Sequence, residues 1–117
     1  MPVAFIDWDR ARPGAWLPDL AYLAWTWCIQ STGNVPLRDQ ARHLDQLHRG
    51  YGRGDPDALL RAIIDAQLEV ARTAEALASR PGKSERYYAH QQRAIEWATA
   101  DRLLTEEHFD LFVATLS

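Results

Sequence analysis

Apolar residues along this chain form one short unbroken run and then five groups with helical spacing. Val3-Ala4-Phe5-Ile6 is rich in strand formers and lacks alternation. It predicts a strand covered on both faces. No second convincing strand occurs later in the chain, so its sheet neighbours are expected outside this chain. Asp7 to Trp16 predicts a loop, with Pro13-Gly14 as a turn signal. Pro18 fits the first turn of a helix, with Asp19 near its positive end. Leu20, Leu23, Ala24, Trp27 and Cys28 give that helix an apolar face to about Gln30.

Ser31-Thr32-Gly33-Asn34 breaks the pattern, and Pro36 opens a second helix. Its apolar side carries Leu37, Ala41, Leu44, Leu47 and Tyr51, and Gly50, Gly52 and Gly54 end it. Asp55-Pro56 predicts a cap and then a first-turn proline. The third helix then runs to about Ser79. Leu59, Leu60, Ile63, Ile64, Val70, Ala71 and Leu77 give it a broad apolar face, which suits a central position. Pro81-Gly82 is the next break. A fourth helix covers roughly Ser84 to Leu104, with Tyr88, Ile95 and Ala98. Thr105 is the expected cap of a last helix, with Glu106, Glu107 and His108 in its first turn. Phe109, Phe112, Val113 and Leu116 form its stripe. The expected fold is mainly α: one short N-terminal strand followed by about five helices, in a single domain over 1–117.

Composition narrows the function classes. The chain has 117 residues, 47% of them apolar and 25% charged, an ordinary globular balance. Its net charge is −3 with both signs interspersed, and no basic stripe appears. Nucleic acid is therefore not an expected partner. No apolar run is long enough to span a bilayer, and charges begin at Asp7. A cytoplasmic protein without a membrane partner is expected. Cys28 is the only cysteine, which excludes an internal disulfide and fits a reducing compartment.

The segment with chemical content is Val3 to Trp25, VAFIDWDRARPGAWLPDLAYLAW. An apolar strand here delivers Asp7 into a polar loop. A carboxylate held at a strand end suits a divalent cation, which prefers hard oxygen ligands. Asp9 is a possible second ligand. The alternative is a loop carboxylate that is solvated or bonded to backbone amides.

Ile6-Asp7-Trp8, Ala11, Gly14 and Asp19-Leu20-Ala21 together resemble the aminoglycoside phosphotransferases and their choline-kinase-like relatives. In that family a strand ends in Ile-Asp-Trp or Ile-Asp-Phe. After it come a small residue, a glycine and then Asp-Leu-Ala at a helix start. The resemblance implies the helical part of the C-terminal lobe of a protein-kinase-like fold. It implies ATP-dependent phosphoryl transfer to a small-molecule hydroxyl, with magnesium and ATP as cofactors of the complete enzyme. Asp7 matches the aspartate that holds magnesium against the nucleotide phosphates. Asp19 matches a buried structural aspartate that braces the catalytic loop, and Gly14 is likewise structural. The family's His-Gly-Asp catalytic loop belongs just upstream of this strand, and no His-Gly-Asp occurs in the chain. The nucleotide-binding lobe is also missing. The resemblance therefore implies a truncated lobe that is inactive alone and holds no cofactor tightly. The alternatives are half of a split kinase and a non-catalytic helical interaction or homodimerisation module. A homodimer or a separate N-terminal-lobe chain is the expected partner, because the strand has no mate here.

The remaining candidates read as structure. His43 and His48 are five apart, away from a shared helical face, so with Asp45 they are expected to be surface polar residues. Glu85, His90 and Glu96 are expected on a solvated face. Trp16, Tyr22, Trp25 and Trp27 are expected in the core, the alternatives being a substrate pocket or contact with a missing lobe. Tyr87-Tyr88 is expected to give one core and one half-exposed ring. Cys28 is expected to be a buried small hydrophobe.

Overall fold

Five helices account for about four-fifths of the residues described by this computed structural model, which covers 13–52 and 54–117. They are α1 (Pro13–Cys28), α2 (Leu37–Gly50), α3 (Pro56–Ala78), α4 (Glu85–Glu107) and α5 (Phe109–Leu116). Among the described residues there is no strand. The strand expected at Val3–Ile6, together with Asp7 and Asp9, lies outside them.

Side-chain caps set two of the helix starts. Asp55 caps α3, its carboxylate accepting from the Asp57 amide at 3.2 Å, and Pro56 occupies the first turn, where a missing N–H costs nothing. Ser84 caps α4 through the Tyr87 amide at 3.1 Å. The two breaks read from the sequence are turns that need a left-handed residue: Gly33 at φ 84° and Gly82 at φ 76°.

Two boundaries differ from the sequence reading. The first helix begins at Pro13, not Pro18, so Pro13-Gly14 starts a helix instead of making a turn. Proline is favoured at a first helical position, which suits Pro13. Pro18 lies inside the helix and withholds the donor that would reach the Gly14 carbonyl. The second difference is Thr105. It does not cap the last helix but lies within α4, which continues to Glu107, and Glu106 and Glu107 belong to that helix's end. The Thr105 hydroxyl donates to the Asp101 carbonyl at 2.8 Å, satisfying itself inside the helix. His108 then joins α4 to α5 and meets Glu107 at 3.5 Å.

The core is built around α3, which packs on α4, α1 and α5, while α2 packs on α5 and α1. Leu59, Leu60 and Ile63 of α3 meet Leu44 of α2 and Phe112 and Leu116 of α5 in one buried cluster. The stripe of α1 is rotated from the expected one. Leu20, Ala21, Ala24, Trp25 and Cys28 are buried, whereas Trp27 is 74% exposed. Both registers satisfy helical periodicity. Trp25 wins the buried position because its indole finds a ring to stack on and an acceptor for its N–H.

Candidate functional site

Three places gather polar side chains, and they differ in how well those side chains are satisfied. The first lies where α1 meets the C-terminal half of α4. Trp25 is fully buried and stacks on Trp97, with ring centroids 4.4 Å apart. Its Nε1–H donates to Asp101 Oδ2 at 2.8 Å, and the Ser31 amide donates to Asp101 Oδ1, also at 2.8 Å. Asp101 is 1% exposed. Both carboxylate oxygens are therefore used to hold α1 and the turn after it against α4. One turn further on, Thr105 accepts from Gln67 Nε2 of α3 at 3.1 Å. The Asp101 carboxylate is thus engaged on both oxygens, so its work among the described residues is structural.

The second place is the connection from α1 to α2. Gln40 is 2% exposed. Its Oε1 accepts from the Gln30 amide at 3.0 Å, and its Nε2 donates to the Gln30 and Val35 carbonyls at 2.9 Å each. One side-chain amide thus satisfies backbone groups of the connection that no helix pairs. Nearby, His48 is buried, contrary to the surface position expected for it. Its Nε2 faces the Gly54 carbonyl. A carbonyl only accepts, so that nitrogen carries the proton. The ring fastens the end of α2 to the turn before α3, which explains why it is drawn inward. Arg49 and Asp45 pair at 3.0 Å beside it. His43 is exposed, as read from the sequence.

The third place is an open groove of about 720 Å³ between α1, α3 and α4. Its floor on α3 is Ala62, Ala66, Val70, Ala74 and Leu77, with Asp65, Glu69 and Thr73 along one edge. These positions recur every three and four residues, so they form a single stripe over four turns of α3, about 22 Å long. Leu17, Pro18 and Tyr22 of α1 and Ala94 of α4 form the walls. Gln91 of α4 also lines it. That side chain is only 7% exposed and makes no hydrogen bond among the described residues. The two charged residues lining the groove are both acids. Glu69 meets the exposed Arg72 at 3.3 Å, and Asp65 has no ion pair among the described residues.

The residues singled out by sequence fall in several places. Asp7 and Asp9 lie outside the described residues. Gly14 is in the first turn of α1. Asp19 is exposed and lies near the end of the second turn, so it is neither buried nor at a helix start. Among the described residues no three of His, Cys, Asp and Glu gather as a metal site. Cys28 is buried as expected, and burial pushes its thiol up to about 11, so it is protonated at neutral pH. Glu85, His90 and Glu96 are not buried, and both Tyr87 and Tyr88 are half-buried. No helix among the described residues is long and apolar enough to cross a membrane.

Sequence reasoning passes over Asp101, Gln67, Gln91 and the Ala62–Leu77 stripe. A polar residue on the inward face of a helix is the available signal for the first three. No protein-family model matches this chain, and no curated protein or solved structure matches it either.

Proposed function

We propose that this chain acts as a helical binding lobe whose working surface is the groove between α1, α3 and α4. The observation that carries this reading is the stripe from Ala62 to Leu77. It presents apolar floor over four turns, and no other described element covers it. A stripe with that spacing is the surface that helix-in-groove recognition uses. Four of the groove's apolar positions are alanines, Ala62, Ala66, Ala74 and Ala94, which let an incoming backbone approach closely. A neutral amphipathic helical peptide of about 16 residues, matching the groove's length, tests the reading. Binding is expected to shift the methyl signals of Val70, Leu77 and Ala94. Absence of any shift at millimolar peptide, with unchanged groove signals, overturns it.

The phosphotransferase resemblance supports a second reading, in which the lobe belongs to a kinase-like enzyme that transfers phosphate only in company with a nucleotide lobe. Its support is the pattern from Ile6 to Ala21. The Asp19-Leu20-Ala21 part is helical, with Leu20 and Ala21 buried. The exposed position of Asp19 weighs against its proposed bracing role in this chain. Magnesium and ATP, held by Asp7 with Asp9, belong to this reading alone. Incubation of the purified chain with magnesium and ATP is expected to give no hydrolysis above background, because positioning groups carry phosphoryl transfer. Turnover abolished by Asp7→Asn would restore a catalytic role to the lobe itself.

A further inference from the structure

Resting on the binding-lobe reading, we infer that the groove takes a cationic amphipathic helix, with an apolar stripe on the Ala62–Leu77 floor and lysine or arginine beside Asp65 and Glu69. Four features lead to this partner. The first is shape: the floor is a straight stripe about 22 Å long, which a helix of some four turns fills and a compact small molecule does not. The second is charge. Asp65 and Glu69 stand one turn apart along the edge, and no lysine or arginine lines the groove among the described residues. An incoming helix with cations at matching spacing meets the unpaired Asp65 and, in competition with the exposed Arg72, Glu69, while an acidic helix is repelled. The third is Gln91. Its side chain is 7% exposed and has no hydrogen-bond partner among the described residues, so only water in the open groove can reach it. A polar group at one position of the incoming helix would satisfy it and fix the register. The fourth is the wall. Tyr22 is 48% exposed and lines the groove, so its ring has contact area still to give.

Charge also separates this occupant from a second copy of the chain. A two-fold mate seated antiparallel along the middle of the stripe would bring Glu69 against its own counterpart. Like charges brought together at an interface oppose association.

The test uses the full chain and three synthetic helical peptides of about 16 residues, with the same leucine–alanine stripe. One is flanked by lysine, one by glutamate and one by glutamine. Methyl and amide spectra locate the binding, and titration ranks the three. The lysine peptide is expected to shift Val70, Leu77 and Ala94 and to bind about tenfold tighter than the glutamate peptide at low salt. Added salt should shrink that advantage, since Asp65 and Glu69 are exposed. The Asp65→Lys, Glu69→Lys double variant changes only exposed positions, so it keeps the fold, and its preference should reverse toward the glutamate peptide. Equal affinity of the three peptides at the groove overturns the cationic partner and leaves the binding lobe standing. No binding by any of them removes both. Two further results overturn the proposal by naming another occupant. One is concentration-dependent dimerisation that perturbs the same methyls. The other is a set of contacts from residues 1–12 to Val70 and Leu77 in the free chain.

Discussion

The two halves of the α3–α4 pair bury polar side chains and treat them in different ways. At the C-terminal half of α4, the Gln67 amide nitrogen reaches Thr105, and Asp101 accepts from both Trp25 and Ser31. The Gln67 Oε1 is the one enclosed polar atom of this cluster without a partner. At the N-terminal half, Gln91 is nearly as buried as Gln67, yet neither its oxygen nor its nitrogen has a hydrogen-bond partner among the described residues. Around it lies a groove rather than a packed interface. Buried polar groups that bond to one another specify a fold. A side chain without protein bonds beside an opening is left to water, which a ligand can replace. The contrast sets a hydrogen-bonded end of the helix pair against the open end at which binding is proposed.

Asp101→Ala should break the bonded end with the largest effect. It strands the buried Trp25 indole N–H and the Ser31 amide, and charge-assisted hydrogen bonds of this kind carry about 1.5–3 kcal/mol each. A loss on the order of 3–4 kcal/mol in denaturant unfolding is expected from those two bonds. Asp101→Asn keeps one acceptor oxygen, so it should lose about half as much. A loss under about 1 kcal/mol for Asp101→Ala would show that the cluster is not where stability resides.

Cys28 belongs to the same end, and its ionisation offers a second lever. The thiol is neutral in the folded protein up to about 11, against about 9 when free. Between those values the unfolded chain binds fewer protons than the folded one, so stability falls as pH rises. The increment is intact below about pH 9 and lost on approaching pH 11. It amounts to about 2–3 kcal/mol at most. The comparison of wild type with Cys28→Ala isolates it, since the alanine variant lacks this slope while sharing the tyrosine and lysine titrations. Parallel stability–pH curves for the two proteins would place the thiol in contact with water.

How far this division is legible in the sequence depends on what kind of signal each residue sends. The Asp55-Pro56 cap, the Gly33 and Gly82 turns and the Phe112–Leu116 stripe are readable because capping, left-handed turns and periodicity are local. The register of α1 is not. Trp25 and Trp27 both fit a helical stripe, and the choice between them is made by Trp97 and Asp101, about seventy positions away or more. Pro18 points to a helix start because proline is costly inside a helix, yet α1 begins at Pro13 and absorbs that cost. The spacing of His48 from His43 argues against a metal site, and that argument is silent about a buried ring bonded to Gly54. The groove is illegible for a similar reason. Val70 and Leu77 read simply as apolar face, and nothing in the sequence says that their neighbours stop short of covering them.

Gln91→Leu sharpens the open end. Where Asp101 variants lose stability, this one should stay within about 0.5 kcal/mol of wild type, because the Gln91 amide is not enclosed and water in the open groove can satisfy it. Thermal unfolding should move by no more than a few degrees, as a change of that size does in a domain of this length. The same substitution should weaken any ligand that bonds to the amide, separating stability from binding at a single residue. Destabilisation instead would mean that Gln91 has a hydrogen-bond partner in solution.

Asp19→Ala tests the smallest difference, and it concerns the residue for which sequence reasoning claims most. In the phosphotransferase resemblance Asp19 is a buried brace at a helix start, a position whose capping and dipole interactions are worth about 0.5–2 kcal/mol. In this fold Asp19 is exposed and lies two turns into α1, past the reach of the helix's open amides. What remains is intrinsic propensity, and there alanine is better than aspartate by roughly half a kcal/mol. The variant should therefore match wild type or gain slightly, within about 0.5 kcal/mol in denaturant melts. A loss above about 1 kcal/mol would put Asp19 in contact with backbone donors that the described residues do not supply, as the bracing role requires. The sign of this small change thus decides whether the Asp-Leu-Ala segment works in this chain as a brace or simply as helix.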